Sequence, residues 1–328
     1  MADNQQAVLI LVGPTAVGKT DLALHLAQAL QGEIISADSR QLYKYMDIGT
    51  AKPSPEQRAR VPHYLIDVIL PDEYYSAGEY SRQGRKIISA LLAGGKVPLV
   101  VGGSGLYIRA LVDGFFDPVV YDPGVRQVLR RRLAVEGPHK LHEQLAAVDP
   151  EAALRIHRRD SQRIVRALEV FEITRQPLSA LQRQSRKLRA SFRPVFVGLK
   201  MAREELYRRI ERRVDGMIQK GLVEEVRDLL AMGYDRSLNA MQTVGYKEIS
   251  AFLAEEIDFD EAQRLVKQNS RRYAKRQMTW FSKDRRVTWF ELKEGEETSP
   301  VLKRVIERYH DEGGRDRGPF SPSERIFP

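Results

Sequence analysis

The segment Gly13 to Thr20, GPTAVGKT, has the residue types and spacing of a phosphate-binding loop, and it matches G-x-x-x-x-G-K-[ST] at every fixed position. The glycines allow successive backbone N–H groups to face an anion, and Lys19 adds a mobile positive charge. Thr20 would offer its hydroxyl to Mg²⁺. We therefore predict a bound phosphate or diphosphate, with ATP as one candidate, while transfer, hydrolysis and simple departure of the phosphate stay open.

The segments on either side of this loop support the interpretation. Ala7–Val12 is typical of a buried strand and Thr20–Leu30 of an amphipathic helix. An ordinary glycine-containing turn between a strand and a helix is the alternative, and the matching flanks disfavour it. The predicted ligand-binding residues are Gly13, Pro14, Thr15, Ala16, Val17, Gly18, Lys19 and Thr20.

A carboxylate, Asp38, follows the next predicted strand, Glu33–Ser36. A bound diphosphate would repel it, so its presence implies a compensating role as proton acceptor from a nucleophile or as an anchor for Mg²⁺. The alternative is an N-cap for a helix starting near Arg40. If Asp38 is the proton acceptor, a diphosphate could be the leaving group.

The residues that a P-loop kinase needs are incomplete in this sequence. Such an enzyme usually has an aspartate at the end of an apolar strand, where it holds Mg²⁺. Here the apolar residues 97–101 of the predicted strand Val97–Gly103 are followed by Gly-Gly-Ser, and Asp67 lies inside the predicted strand His63–Ile69. A small-molecule kinase is the first alternative function, and a non-catalytic RNA-binding NTPase module is the second.

Strands alternate with helices through the first 120 residues, and Ser76–Gly95 is a further predicted helix. This order predicts an α/β fold: a P-loop NTPase-like, doubly wound parallel sheet whose ligand site lies beyond the carboxyl ends of the strands. The glycine-rich loop, Asp38 and the segment Gly102 to Ser104 should meet there.

The pattern after residue 121 changes to basic helices and then returns to the sheet. Pro194–Lys200 is a predicted buried strand, Arg203–Met232 and Phe259–Ser282 are predicted long helices, and Val287–Leu292 is a predicted last strand. We predict a first core segment (1–121), an inserted helical subdomain (122–193), a second core segment (194–310) and a disordered tail (311–328).

The composition excludes several classes of protein. There are no cysteines, so disulfides and thiolate sites are excluded, and six scattered histidines show no zinc-ligand spacing. No apolar run is long enough to span a membrane, and the N-terminal sequence does not resemble a secretory signal. We expect a cytoplasmic protein without a membrane partner and, in the absence of an apolar surface helix or heptad repeat, a monomer.

The formal net charge of +9 suggests a polyanionic partner. Arginine-rich clusters occur at Arg126–Arg132, Arg155–Arg166, Arg183–Arg193 and Arg271–Gln277. Each cluster alone could be a solvated helix face. Several such clusters in one chain favour contact with a phosphate backbone.

Six segments, in this order and at these separations, resemble the bacterial tRNA dimethylallyltransferases: GPTAVGKT, ISADSRQLYKYMDIGTAKP, VGGSGLYIRAL, RDSQRIVRALEV, MQTVGYKEI and AKRQMTWF. The resemblance extends from about Val8 to Phe290. It implies transfer of a dimethylallyl group from dimethylallyl diphosphate to N6 of adenosine 37, beside the anticodon, in tRNAs reading codons that begin with U. The diphosphate would then be the leaving group, and the anticodon stem-loop of tRNA would bind the helical insert.

The same resemblance implies roles for individual residues. Lys19 and Thr20, the latter through Mg²⁺, would balance the charge of the diphosphate, Asp38 would accept the N6 proton, and Arg213 would be a catalytic arginine facing the diphosphate. The register of that helix favours Arg213 over Arg209. The residues implied to contact tRNA are Asp38, Ser39, Arg40, Gln41, Ser104, Arg126, Gln162, Arg163, Ile164, Val165, Arg166, Met241, Gln242, Thr243, Val244, Gly245, Tyr246, Lys275, Arg276, Gln277, Met278, Thr279, Trp280, Phe281 and Ser282.

Two of these implied tRNA contacts, Ser104 and the segment AKRQMTWF, need a further remark. Ser104 stands where relatives have threonine, and because a hydroxyl is kept we expect no loss. In AKRQMTWF, Met278, Trp280 and Phe281 could belong to the core, with only Lys275 and Arg276 reaching solvent.

Overall fold

The computed structural model describes residues 6–114, 121–185, 190–293, 295 and 299–313. In this part of the chain six parallel strands form one sheet in the order β3-β2-β4-β1-β5-β6. The predicted parallel α/β architecture is therefore confirmed. The strands are β1 (Ala7–Val12), β2 (Gly32–Ala37), β3 (His63–Tyr64), β4 (Val97–Gly102), β5 (Arg193–Lys200) and β6 (Thr288–Glu291).

The register of the three strands β2, β4 and β1 brings their carboxyl ends level. Gly102 at the end of β4 pairs with Val12 of β1 on one side and with Ala37 of β2 on the other. The loops that begin at Gly13, Asp38 and Gly103 therefore leave the sheet at the same edge, as the sequence predicts.

The described residues form thirteen helices. They are α1 (Lys19–Leu30), α2 (Pro55–Arg60), α3 (Ala77–Ala93), α4 (Gly105–Asp113), α5 (Pro123–Val148), α6 (Pro150–Arg155), α7 (Ser161–Thr174), α8 (Leu178–Ser185), α9 (Arg203–Gln219), α10 (Leu222–Ala231), α11 (Tyr246–Leu253), α12 (Phe259–Phe281) and α13 (Ser299–Asp311). None of the helices in this part of the chain is long and apolar enough to cross a bilayer.

The chain divides into two compact units. The first comprises residues up to Tyr75, Gly84–Ile108 and the chain from Ser191 onward, and the second comprises Ser76–Gln83 and Arg109–Ala190. The second unit therefore starts earlier in the chain than the predicted insert (122–193). Of the predicted tail, 314–328 lies outside the described residues.

The core of the first unit lies against the sheet. All six residues of β1 are buried, as expected for a strand covered on both faces. Leu9 and Leu11 of β1 belong to the same apolar cluster as Leu22 and Leu26 of α1 and Val305 of α13. Burying each such side chain contributes about 1.5–3 kcal/mol, so α1 is held firmly behind the glycine-rich loop.

The second unit is helical throughout its stretch from α5 to α8. Side chains of Asp122, Asp149 and Asp160 accept hydrogen bonds from backbone N–H groups in the first turns of α5, α6 and α7. A break at Gly137 (φ 78°) ahead of Pro138 interrupts α5. Leucines from α5 and α7 form the core of this unit.

Several predicted elements are wrong in extent. The predicted strand His63–Ile69 is only two residues long, because Leu65 (φ 61°) and Asp67 (φ 56°) leave the extended conformation. Asp67 therefore lies in a loop, where it pairs with Lys52 at 2.6 Å. The predicted helix Arg203–Met232 is two helices, α9 and α10, separated at Gly221 (φ 96°).

Candidate active site

The glycine-rich loop between β1 and α1 needs glycine at both ends. Gly13 has φ 152°, and a Cβ there would stand 2.7 Å from the carbonyl oxygen of Leu199. Gly18 (φ 103°) is the N-cap of α1. Gly13 has no room for a side chain, and the backbone of Gly18 would be strained by one, so glycine at both positions lets the loop curl tightly. The helix α1 then begins at Lys19, with its N-terminal amides beside the cavity.

The ammonium of Lys19 is folded back onto the loop. Its Nζ donates to the carbonyl oxygens of Gly13 at 3.0 Å and Pro14 at 2.6 Å. Burial and, to a smaller extent, the charge of Arg213 lower the pKa of Lys19 to about 7, against the opposing charge of Asp38. In the free protein Lys19 is therefore poised to take up a proton when an anion arrives.

A first cavity of about 330 Å³ opens at the carboxyl edge of the sheet. Its lining includes Thr15, Lys19, Thr20, Asp38 and Arg213. The predicted phosphate-binding residues Gly13, Pro14 and Val17 are not part of this lining, and the side chain of Val17 is fully buried in the core. These three residues shape the loop from behind the cavity.

A second cavity of about 260 Å³ adjoins the first. The two share five lining residues, namely Thr15, Ala16, Asp38, Thr50 and Arg213. The rest of the second lining includes residues of α9, α12 and the segment before α11, among them Tyr273, Arg276 and Gln242 to Gly245. Asp38 thus stands where two separate spaces meet.

The backbone around Asp38 forms a turn and not the start of a helix. Its Oδ1 accepts a hydrogen bond from the backbone N–H of Arg40 at 2.9 Å, and the next helix, α2, begins only at Pro55. The alternative role as a helix N-cap is therefore wrong. The bond orients the carboxylate at the junction of the two cavities.

Arg213 is brought to the loop from α9. Its Nη1 donates to the hydroxyl of Thr15 at 3.4 Å, and its positive charge lowers the pKa of Lys19. Burial lowers its pKa, but a guanidinium stays protonated in proteins. Arg209, one turn earlier, also lines the first cavity, on the side of Gly18. Among the described residues, the lining of the first cavity therefore includes two arginines, and of these two Arg213 also lines the second cavity.

Gln277 has a role that sequence reasoning did not identify. Its Oε1 accepts from the backbone N–H of Thr15 at 2.8 Å, and its Nε2 donates to the carbonyl oxygen of Gly103 at 3.1 Å. It joins α12 to the loops after β1 and β4. No local sequence signal distinguishes this amide from the tRNA-contacting residues among which we predicted it.

The polar residues after β2 form a network across the edge of the sheet. The hydroxyl of Ser104 accepts from the backbone N–H of Ser39 at 2.9 Å, and Arg40 donates to the carbonyl oxygen of Asn239 at 2.8 Å. Gln41 accepts from Ser36 at 3.0 Å and donates to the carbonyl oxygen of Ala51 at 3.2 Å. Gln41 therefore connects Ser36 to the backbone at Ala51, and its contact with tRNA stays a prediction.

Seven residues predicted to contact tRNA have buried side chains in this structure, and two of the seven, Thr243 and Gln277, line the second and the first cavity respectively. Their burial follows from helix periodicity and from packing between elements, which a linear motif does not reveal. They are Ile164, Val165, Met241, Thr243, Tyr246, Gln277 and Phe281. In AKRQMTWF, Phe281 is core, whereas Trp280 is 41% exposed.

In the second unit, two predicted tRNA-contacting arginines share one buried carboxylate. Arg126 and Arg166 contact Oε2 of Glu169 at 2.8 Å and 2.9 Å, and Glu169 is fully buried. Arg163 lies on the same helix as Arg166 with a mostly exposed side chain. Glu169 therefore aligns two guanidiniums of α5 and α7, and Arg163 stays accessible.

The oxygen donors of the first cavity suit Mg²⁺ held jointly with a substrate. The described residues contain no cluster of three or more His, Cys, Asp or Glu that could bind a metal alone. Mg²⁺ usually keeps several waters and binds one or two protein oxygens plus phosphate oxygens. Thr20 and Asp38 in the cavity lining are compatible with that arrangement.

Comparison with known proteins assigns the family. The model of the IPP transferase family matches residues 41–284. The chain belongs to the IPP transferase family. The tRNA dimethylallyltransferase of Geobacter metallireducens is 49% identical to it over 311 residues, covering 94% of this chain and 100% of the relative.

Solved structures agree with that membership. The full-length tRNA isopentenylpyrophosphate transferase of Bacillus halodurans is 36% identical, with a TM-score of 0.69, and the match covers 94% of this chain and 98% of that one. A eukaryotic dimethylallyltransferase acting on tRNA is 24% identical with a TM-score of 0.79, covering 95% of this chain and 81% of that one. The second similarity shows that this IPP transferase shares the fold.

Proposed function

We propose that this protein transfers a dimethylallyl group from dimethylallyl diphosphate to N6 of adenosine 37 in tRNA, giving N6-dimethylallyladenosine and diphosphate. The observation that carries the proposal is the meeting of two cavities at Asp38, one of them bounded by a phosphate-binding loop. A transferase needs separate spaces for donor and acceptor that join at the reacting atoms. Family membership supports tRNA as the acceptor.

In the first cavity the diphosphate would lie against the backbone N–H groups of the loop and the side chains of Lys19 and Arg213. These groups stabilise the negative charge that grows on the diphosphate as the allylic C–O bond breaks. If Mg²⁺ is present, Thr20 and the diphosphate oxygens would hold it, and it would neutralise part of the same charge. The bond electrons leave with the diphosphate.

In the second cavity the adenine would approach the allylic carbon from the side opposite the departing diphosphate. The N6 lone pair forms the new N–C bond, and the carboxylate of Asp38 accepts the N6 proton. An exocyclic adenine nitrogen is a weak nucleophile because its lone pair is delocalised into the ring. Close placement and a nearby base therefore both contribute to the rate.

The basic second unit would bind the tRNA backbone. Arg126, Arg163 and Arg166 present guanidiniums there, and the bidentate geometry of guanidinium suits phosphate. We further propose that the protein acts in the cytoplasm and as a monomer. Its substrates would be tRNAs that read codons beginning with U. Membership of the IPP transferase family supports the tRNA part of this proposal.

In the deciding experiment, the purified protein is incubated with Mg²⁺, unmodified tRNA and radiolabelled dimethylallyl diphosphate. The label incorporated into tRNA is then measured. Terminally labelled ATP in a parallel reaction tests the kinase alternative. We expect label from the isoprenoid only, at the adenosine beside the anticodon after nuclease digestion and mass spectrometry. Incorporation from ATP alone would identify a kinase.

The lowered pKa of Lys19 predicts how affinity for dimethylallyl diphosphate depends on pH. Lys19 is neutral above about pH 7 in the free protein, and a bound diphosphate favours the charged form. Binding above pH 7 therefore takes up a proton, so affinity should fall as pH rises from 7 to 9, by up to about tenfold per unit. Calorimetric titration at several pH values measures this.

The matched control for that prediction is Lys19→Arg. Arginine stays charged throughout this pH range, so the affinity of the variant should change little between pH 7 and 9. An equal decline in the wild type and in Lys19→Arg would show that the proton is taken up by another group.

A further inference from the structure

One carboxylate outside the two cavities, Glu225 of α10, accepts four hydrogen bonds. Its Oε2 accepts from the backbone N–H groups of Asp47 at 2.9 Å and Ile48 at 2.8 Å. Its Oε1 accepts from the backbone N–H of Gly49 at 3.2 Å and from the hydroxyl of Tyr246 at 2.5 Å. Glu225 therefore binds three consecutive backbone amides of one loop.

That loop, which we call the wall loop (residues 45–53), forms part of both cavities. Thr50 lines both of them, and Ala51 and Lys52 line the first. The loop has no strand or helix to satisfy its amides, and Tyr45 (φ 66°) and Ala51 (φ 48°) are in the left-handed region. A non-glycine residue in that conformation costs about 1–3 kcal/mol and persists only where surrounding contacts enforce it.

Tyr246 connects Glu225 and the wall loop to α11. Its side chain is fully buried, and its ring packs so closely on Gly49 that any Cβ at Gly49 would collide with it. Its hydroxyl is held by Glu225. Burial and the neighbouring Glu225 raise the pKa of Tyr246, so this hydroxyl stays a hydrogen-bond donor.

We propose that Glu225 is a positioning residue for the transfer reaction, which holds the wall loop at Asp47, Ile48 and Gly49 so that Thr50 borders both cavities beside Asp38. The inference rests on the proposed function. It also gives Tyr246 a role different from the predicted tRNA contact. The hydroxyl of this tyrosine holds the carboxylate of Glu225 in place, and its ring packs against Gly49. Neither residue lines the first cavity.

The chemistry of the four bonds predicts graded effects of substitution. Glutamine at 225 keeps one carbonyl-type oxygen for Asp47 and Ile48, but its amide group would face the N–H of Gly49, donor against donor. Alanine removes all four bonds. Because misplacing a group by about 1 Å can cost about 100-fold in rate, we expect single-turnover transfer to fall about tenfold in Glu225→Gln and about 100-fold in Glu225→Ala.

The experiment compares these variants with Glu224→Gln, the matched control. Glu224 is the adjacent carboxylate, its side chain is 64% exposed, and it forms an ion pair with Arg227 at 3.7 Å on the same helix. Three quantities are measured for each protein: hydrogen exchange at residues 47–49, the single-turnover rate with saturating tRNA and dimethylallyl diphosphate, and the tRNA dissociation constant. We expect faster exchange and slower transfer only in the Glu225 variants, with tRNA affinity within about twofold.

The outcomes separate this inference from the proposed function. If the wild type transfers no dimethylallyl group, the proposed function fails, and the exchange data still report whether Glu225 holds the loop. If the wild type is active and both Glu225 variants match Glu224→Gln in rate, the positioning role is wrong. Should Glu225→Ala not fold, Glu225→Gln and Tyr246→Phe provide the same comparison, and their combined effect should be less than additive because both act through Gly49.

Discussion

Replacing Asp38 with asparagine should slow dimethylallyl transfer by about 1000-fold, within the range of about 10²–10⁴ that a positioned general base contributes. Asparagine keeps the oxygen that accepts from the backbone N–H of Arg40, so the turn after β2 should persist. It loses the basicity needed to take a proton from N6. Single-turnover rates with saturating tRNA and dimethylallyl diphosphate measure the effect.

Asp38→Ala serves as the comparison, because it removes both the base and the turn-forming acceptor. We expect it to be at least as slow as Asp38→Asn, and we expect both variants to bind tRNA within a few-fold of the wild type. If Asp38→Asn kept a nearly normal rate while Asp38→Ala was slow, Asp38 would orient the adenine and another group would accept the proton. A parallel loss of tRNA affinity would point the same way.

The convergence of Lys19, Asp38 and the segment after β4 could be predicted from sequence because parallel strands end at one edge. The glycine-rich loop that leads to Lys19 begins directly after β1, Asp38 directly after β2 and Gly103 directly after β4, and each of these strands has a strong hydrophobic signal. A residue that comes just after a predicted strand can therefore be placed at the carboxyl edge of the sheet. The helical character of the stretch from α5 to α8 was equally accessible, because aspartate–proline and aspartate–serine starts mark three of its helices.

The start of α2 and the boundary between α9 and α10 also have local sequence signals, but the hydrophobic periodicity used to predict helices and strands did not reveal them. α2 starts with Ser54 and Pro55, and the side chains of Ser54 and Gln57 complete a capping box. Gly221, which separates α9 from α10, stands in a long run of helix-forming residues. A glycine at that point is the usual mark of a helix end, so both boundaries were predictable in principle.

The roles of Gln277, Glu225 and Tyr246 could not be obtained from sequence. Each depends on contacts between residues far apart in the chain, such as Gln277 with Thr15 or Glu225 with Gly49. A motif reports that a residue type recurs at a position, but it does not report whether the side chain faces a substrate or another loop. Burial supplies that distinction.

Arg213→Met should reduce the transfer rate by about 100- to 1000-fold, the usual effect of removing one donor that stabilises developing negative charge. Methionine keeps an unbranched stem of similar length, so the packing of α9 should survive. Arg208→Ala on the same helix is the matched control, because Arg208 is exposed and lies outside both cavity linings. It should transfer at nearly the wild-type rate.

Arg213→Met also carries a second, independent readout. Because the positive charge of Arg213 lowers the pKa of Lys19, its removal should raise that pKa and move the decline of dimethylallyl diphosphate affinity to higher pH. A merely structural role for Arg213 would slow the reaction without this displacement. If Arg209→Met instead produced both the larger rate loss and the shift, the arginine facing the diphosphate would be Arg209, one turn closer to the start of α9.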